Sequence, residues 1–382
     1  SALLPVKHQD EVIKEALKSL ADPSSAWQQQ VRETLFSQPF NPAKDVLYDN
    51  RTVADDSEIV QLVKSKMIEK IFNVFKLHGA VEYSNYPSLF PKSTKYHSDD
   101  IYEVLNKDGS ILQLPYDLTF PLARLLSKRK TSLFKVFRYQ NVYRSGRNKG
   151  GEPDHYGEID FDIITDGCSD NDLAFYEAES IKAIDEIVDV FPLFDKKNIS
   201  YVLNHCDIID TIMEFCNIDK AKRPLIFLLL SKNDFTASMS EIKFQLRSTL
   251  NVQSTALNDL EAFNFRLPLA EAKKRFHKLM IDSPYLSIID RILGHLQHVM
   301  VYLKQFGIEK KIYISPLSNY NIKFYGKGIM FQAIHEEKQR RKIIAAGGRY
   351  DGLIRDLSST NLMSHNQTQA VGFSLAWEVI FN

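Results

Sequence analysis

Cysteine is scarce in this chain of 382 residues, where Cys168, Cys206 and Cys216 are the only three. So few scattered thiols cannot staple a secreted scaffold, and none has the Cys-x-x-Cys spacing of a zinc site. A reducing, cytoplasmic compartment is the expectation. Net charge is missing as well, because 48 Lys and Arg balance 48 Asp and Glu. That balance argues against a globally basic nucleic-acid binder and leaves room for local basic patches only. Long apolar runs are also lacking. The longest, Leu225-Ile226-Phe227-Leu228-Leu229-Leu230, falls far short of the ~18 residues of a membrane span, so no membrane contact is expected. Ser1 to Pro5 leads into neither a charged n-region nor a long h-region, so no signal peptide is expected. Internal repeats and low-complexity tracts are absent.

What remains is ordinary globular composition, 44% hydrophobic and 25% charged. At ~100–200 residues per domain, the length suggests about two or three domains with ample core. Residues 6–21 carry Val12, Ile13, Ala16, Leu17 and Leu20 on one helical stripe, and a polar loop runs on to about residue 55. A stronger helix is expected between the caps Asp55-Asp56-Ser57 and Gly79, with Ile59, Leu62, Val63, Ile71, Val74 and Phe75 at helical spacing. The pattern then turns to strands. Ile101–Asn106 and Ser110–Leu114 flank the hairpin signal Lys107-Asp108-Gly109, and Phe134–Arg144 and Gly157–Ile164 follow. Residues 171–188 read as a helix with Asn171 or Asp172 near its cap, burying Ala174, Ala178, Ile181 and Ile184. From 205 to 306 the signal is almost wholly helical. Strands return at Ile312–Ser315, Gly328–His335 and Lys342–Ala346, and Val371–Phe381 closes the chain abruptly, as expected of a cut inside a longer protein. Segregated blocks of antiparallel strands and helices mean α+β.

Glu158, Asp160 and Asp162 alternate with Ile159, Phe161 and Ile163, which puts three carboxylates about 7 Å apart on one strand face. Arg138 and Arg144 share a face of the preceding strand. Spacing alone allows a solvated face laced with Arg–Asp pairs, or a polar cleft floor that binds a charged small molecule. Gly372-Phe373-Ser374-Leu375-Ala376 approximates a nucleophile elbow, but an α/β-hydrolase needs its His after the Ser and none follows Ser374, so that reading is excluded. His295 and His298 have no third ligand at metal spacing and read as solvated or core residues. No metal and no cofactor are expected. Lys128-Arg129-Lys130 and Lys273-Lys274-Arg275 are short basic clusters beside aromatics, the spacing of a solvated face or of a nucleic-acid contact.

Several segments, in order and spacing, resemble the catalytic core of histidyl-tRNA synthetases of eukaryotic type. They are Leu114-Pro115-Tyr116-Asp117-Leu118-Thr119-Phe120-Pro121-Leu122-Ala123-Arg124, Arg138-Tyr139-Gln140 with Val142-Tyr143-Arg144, Asp160-Phe161-Asp162, and Ala345-Ala346-Gly347-Gly348-Arg349-Tyr350-Asp351-Gly352-Leu353. The resemblance runs from about residue 57 to the end and implies a class II aminoacyl-tRNA synthetase-like core, an antiparallel sheet flanked by helices with a helical insertion. It implies the division 1–55, an N-terminal helix and linker packing on the core; 56–204, the first part of that core; 205–306, the insertion; and 307–382, the second part. It further implies that Arg144 occupies the position of the arginine that clamps the ATP α-phosphate, and that Asp117, Thr119 and Asp162 match the histidine pocket.

The departures are as informative. Where the family has an arginine and an acid that drive adenylate formation, this chain has Tyr320 and Lys323. Ala376 replaces a glycine at the ATP backbone contact, Val379 replaces the arginine on the γ-phosphate side, and Glu158 stands where a glutamine contacts the amino acid. Asp154-His155-Tyr156 replaces an Arg-Glu-Phe run. Removing one preorganised donor from a charged transition state costs ~2.7–4 kcal/mol, so the resemblance implies a degenerate ATP site, a vestigial histidine pocket and no aminoacylation.

One branch of the family joins such a degenerate core to a protein kinase that acts on the α subunit of eukaryotic initiation factor 2 during amino-acid starvation. The segments His8–Leu17 and Ser24–Val31 resemble its entry into the domain. This implies a regulatory domain that binds uncharged tRNA, forms a homodimer and signals to the kinase domain and C-terminal domain of the same parent chain. Tyr143 and Arg144 are then the expected tRNA-binding pair, with phosphate contacts from Lys128, Arg129, Lys130, Arg147 and Lys149. A working synthetase, a regulatory subunit of ATP phosphoribosyltransferase and a bare dimerisation module are the alternatives.

Overall fold

The computed structural model describes residues 57–84, 87–96, 100–128, 133–145, 151–192, 194, 196–232, 238–326, 328–337, 340–358 and 367–381. The helix expected at 6–21, the entry segments, and Arg129, Lys130, Arg147 and Lys149 lie outside the described residues. Contacts divide the chain into two units, Ser1–Val53 with Gly150–Glu152, and Ala54–Lys149 with Pro153–Asn382. Every element named below belongs to the second.

Helix α1 (Glu58–Leu77) starts where the Ser57 hydroxyl accepts from the Val60 N–H at 3.4 Å. It ends at Gly79, which holds φ +77° and donates its N–H to the Lys76 carbonyl. A residue without Cβ meets that left-handed turn at no steric penalty. Met67, Ile71, Val74 and Phe75 are buried, but Ile59, Leu62 and Val63, expected on the same stripe, are exposed. β1 (Val81–Glu82) follows, and then a small sheet in the order β2-β4-β3, built from β2 (Phe90–Pro91), β3 (Glu103–Leu105) and β4 (Ile111–Gln113). Its expected hairpin turn is present, with Gly109 at φ +85°.

After α2 (Thr119–Leu126) come β5 (Phe134–Arg144) and β6 (Asp154–Asp166), an antiparallel ribbon paired from Phe134–Ile164 to Arg144–Asp154. Helix α3 (Asp170–Val190) is capped by Ser169, which accepts from the Asp172 N–H, so Asn171 and Asp172 do lie near the cap. A serine just outside the first turn reaches the free N–H groups that side chains within the turn cannot. Ala174, Ala178, Ile181 and Ile184 are fully buried, as the stripe predicts. β7 (Ile199–His205) then leads into six helices: α4 (Cys206–Phe215), α5 (Arg223–Leu230), α6 (Met239–Leu250), α7 (Ser254–Ala262), α8 (Leu269–Leu279) and α9 (Leu286–Gln305). The chain closes through β8 (Lys311–Ile314), β9 (Ile329–Glu337), β10 (Arg340–Arg349), α10 (Asp351–Leu357), β11 (Thr368–Leu375) and α11 (Trp377–Phe381).

The eight-stranded sheet has the order β1-β5-β6-β11-β10-β9-β7-β8, antiparallel except where β1 joins β5 and β7 joins β8. On its helix-covered face Phe75 of α1 contacts Phe137, Phe161 and Phe373, stacking on Phe161 at 5.1 Å, and Phe161 also contacts Phe373. That aromatic cluster is continuous with the buried residues of α3 to α9, so the helical stretch and the sheet share one apolar core. A smaller cluster of Phe90, Tyr96, Phe120, Phe324, Tyr325 and Tyr350 packs on the opposite face. Among the described residues, no helix is long and apolar enough to cross a membrane.

Candidate functional site

The opposite face of the sheet opens into a cleft of about 200 Å³. Strand alternation and register decide what lies beneath it. Arg138 pairs across the ribbon with Asp160, which pairs with Ser374 on β11, which pairs with Ala346 on β10, so these residues form one row on one face. One step along, Gly372 opposes Asp162, and a Cβ at Gly372 would also stand only 2.7 Å from the Phe161 carbonyl. The glycine lets the Asp162 carboxylate lie against the neighbouring strand.

The carboxylate face is not solvated. Asp160 and Asp162 are 1% and 2% exposed, and the Arg138 guanidinium between them is equally buried. It bonds Asp162 at 2.5 Å and Asp160 at 3.3 Å, and donates to the Leu118 carbonyl at 2.8 Å. The Tyr350 hydroxyl donates to the other oxygen of Asp162 at 2.7 Å. Burial pushes both carboxyls above the usual range, with Glu158 raising Asp160 further and the Arg138 charge opposing the rise in both. A buried ion pair of this kind fixes geometry more than it adds stability.

Above this layer, the segment entering α2 brings Tyr116, Asp117 and Thr119 to the cleft. Asp117 accepts from the Tyr96 hydroxyl at 2.5 Å and from the Phe120 N–H at 2.8 Å. Glu158 accepts from the Leu118 N–H at 2.9 Å. Burial, followed by the nearby Asp117 charge, pushes Glu158 up to about 7. Asp117 is likewise raised by burial. Arg144 lies over Tyr116, its Cζ 3.5 Å from the ring centroid, and donates to the carbonyls of Tyr116 and Tyr143.

The turn after β8 contributes Tyr320, Asn321, Lys323 and Phe324. The Lys323 ammonium stands 4.8 Å from the Tyr96 ring, 4.9 Å from Phe324 and 5.3 Å from Tyr116, an aromatic box of the kind that holds cations. The residue is exposed overall, but the rings partly desolvate its ammonium, which lowers its pKa against the pull of Asp117 and Asp100. Tyr320 is 38% exposed as a residue, yet desolvation of its hydroxyl in the cleft raises its pKa, with Glu158 adding to the rise. Ser374, Leu375 and Ala376 close the far wall, where the Ala376 N–H donates to the Ile344 carbonyl.

The structure thus brings Asp117, Thr119, Arg144, Glu158, Tyr320, Lys323 and Ala376 to one cleft and sets Asp162 beneath it. Val379 lies in α11. Tyr143 does not share the cleft with Arg144. Adjacent strand residues point to opposite faces, and the Tyr143 ring instead faces His155 at 6.5 Å. Lys128 is exposed at the end of α2. Spacing gave no signal for Tyr96 or Phe324 as cleft residues, because the first lies on a loop and the second next to Lys323 in a turn. His295 is held by Glu177 at 2.6 Å, and Glu177 also pairs with Arg349 at 3.2 Å. That buried pairing accounts for one of the two histidines of α9.

A family model described as histidyl-tRNA synthetase matches residues 171–380. Among curated proteins, the eIF-2-alpha kinase GCN2 of Schizosaccharomyces pombe is 32% identical over 99% of this chain and 24% of its own length. Human GCN2 is 28% identical over 91% of this chain and 21% of its own. The cytoplasmic histidine–tRNA ligase of Dictyostelium discoideum is 28% identical over 84% of this chain and 64% of its own. The chain therefore spans about a quarter of the length of the kinases it matches. Among solved structures, an ATP phosphoribosyltransferase regulatory subunit/histidyl-tRNA synthetase from Bacillus halodurans superposes with TM-score 0.66 at 18% identity, over 90% of this chain and 83% of that one. The histidyl-tRNA synthetase of Nostoc gives 0.63 at 14%, over 83% and 70%. Both share the class II synthetase-like fold. With more than half of its residues matched by that model and nearly its whole length aligned with the GCN2 kinases, this chain belongs to the histidyl-tRNA synthetase family, as a synthetase-like domain of the GCN2 kind.

Proposed function

We propose that this chain is a regulatory pseudo-synthetase: it binds uncharged tRNA, forms a homodimer and passes the signal to a protein kinase domain of the same parent chain, with no aminoacylation of its own. Its site of action is the cytoplasm, and its layout is the division at residues 55, 204 and 306 given above. The observation that carries the reading is the cleft. It keeps the fold of a synthetase site, yet Lys323 sits in the aromatic box and Tyr320 lines the wall where adenylate chemistry calls for an acid and an arginine. Phosphoryl chemistry without preorganised charge complementarity loses the largest single contribution to catalysis. Alignment over nearly the whole chain with GCN2 kinases supports the kinase connection, and the retained Arg144 supports an RNA-facing role. No cofactor is required.

A working synthetase is the second reading, favoured by the Dictyostelium ligase relative and by the retained Asp117, Thr119 and Asp162. Histidine-dependent ATP–pyrophosphate exchange separates the two. The purified chain gives no exchange above a no-enzyme control if it is a pseudo-synthetase. Exchange that depends on histidine contradicts the proposal.

A further inference from the structure

Lys323 inverts the sign of the charge that the family places at its position, and the structure places that charge in the cleft wall. No carboxylate lies within ion-pair distance of its ammonium among the described residues, which holds it by aromatic faces instead. Arg144 shares the Tyr116 ring and spends its donors on two backbone carbonyls, again with no ion pair among the described residues. Three carboxyls bear on these two cations: Asp117 and Asp100 pull on Lys323, and Glu158 feels Arg144. Asp117 is engaged by the Tyr96 hydroxyl and the Phe120 N–H, and Glu158 accepts from the Leu118 N–H. Burial keeps Glu158 partly protonated near neutral pH, so it offsets only part of the positive charge beside it. The volume, about 200 Å³, confines any occupant close to both cations.

A free tRNA 3′ end presents only the hydroxyls of its last ribose. A charged one adds an amino acid, joined as an ester, whose α-amine is largely protonated below its ordinary titration near ~7.7–8.0. Resting on the proposed binding of uncharged tRNA, we propose that Lys323, assisted by Arg144, is the charge filter that makes the cleft reject an aminoacylated 3′ end. The terminal ribose enters, while the ammonium of an aminoacyl ester meets two fixed cations in a partly desolvated space where like-charge repulsion is strong. An acid at 323 would draw that ammonium in. The aromatic box fixes the lysine so that the repulsion needs no rearrangement when RNA arrives.

The test compares three RNAs of one sequence at pH 6.5 (deacylated, aminoacylated, and aminoacylated then N-acetylated) with the wild-type chain, Lys323→Met and Lys323→Asp. The wild type prefers the deacylated RNA over the aminoacylated one by about tenfold, which corresponds to about 1.4 kcal/mol. N-acetylation, which removes the charge and adds bulk, brings affinity back to within about threefold of the deacylated RNA. Lys323→Met narrows the preference to about threefold, and Lys323→Asp abolishes or reverses it. Lys323→Met keeps its unbranched stem among the rings, so it carries the test if the aspartate variant does not fold. Equal rejection of the free and acetylated esters, or an unchanged preference in Lys323→Met, overturns the filter while leaving tRNA binding intact. Failure of the wild type to bind deacylated RNA at all overturns the proposed function itself.

Discussion

Replacing Arg138 with methionine removes the cation that bridges two buried carboxyls, and the structure sets the size and pH dependence of the effect. Asp162 loses its 2.5 Å partner, Asp160 its 3.3 Å partner, and the Leu118 carbonyl its donor at 2.8 Å. Methionine fills much of the vacated volume, so the loss is electrostatic more than a cavity. Breaking a buried ion pair by removing one partner typically costs ~3–5 kcal/mol, because the remaining charge is left uncompensated. Both aspartates already sit above their ordinary pKa through burial, and the Arg138 charge is what restrains the rise. Without it they hold their protons more tightly still. An acid whose folded-state pKa is raised contributes stability below its unfolded value, and that contribution is lost as pH climbs through the folded value. Arg138→Met is therefore destabilised by about 3–5 kcal/mol at pH 8 and by clearly less at pH 5, because protonation relieves the uncompensated carboxylate charge as pH falls. Urea unfolding at the two pH values reads this directly. A loss under about 1 kcal/mol, or one of the same size at both pH values, refutes the buried-network reasoning.

Three further outcomes follow from the same geometry. Gly372→Ala drives a methyl group toward the Asp162 carboxylate and within 2.7 Å of the Phe161 carbonyl, and backbone on a central strand cannot yield, so thermal unfolding shifts down by the equivalent of about 2 kcal/mol or more. Glu158→Gln removes a carboxyl pushed up to about 7, whose ionisation weighs against the fold as pH rises from the ordinary carboxylate range toward that value. The variant is accordingly more stable than wild type by about 1–3 kcal/mol at pH 8 and matches it near pH 4, as urea midpoints will register. Tyr143→Leu together with Arg144→Leu abolishes binding of uncharged tRNA in a filter assay while gel filtration still reports the wild-type oligomer, and retained affinity removes both residues from the RNA surface.

Local chemistry was the legible part of this fold. Ser57, Gly79 and Lys107-Asp108-Gly109 mark their turns because caps and tight turns depend on a few adjacent residues. Alternation placed Glu158, Asp160 and Asp162 on one face, but could not say whether water reaches it. That depends on Arg138 from the neighbouring strand and on Tyr350, which is 188 residues from its partner Asp162. Ile59, Leu62 and Val63 carry helical periodicity and remain exposed, since period reports amphipathicity and not what covers the face. In the cleft, Arg144, Lys323, Tyr320 and Asp117 were identified through segment resemblance. The box around Lys323 was not, because Tyr96, Tyr116 and Phe324 come from three separate stretches with no shared period. The opposite orientations of Tyr143 and Arg144 were implicit in strand alternation and emerge once the register with His155 and Asp154 is seen.

In the proposed function, a synthetase fold has become an RNA sensor. The measurement that tests it most directly is a titration of the purified chain with deacylated tRNA at low and at moderate salt, with the aminoacylated form of the same tRNA alongside. With no net charge to hold it, binding rests on a few local phosphate contacts and weakens steeply with salt. The account predicts salt-sensitive binding that favours the deacylated form. Absence of binding at both salt concentrations contradicts it and leaves this chain a scaffold without RNA recognition of its own.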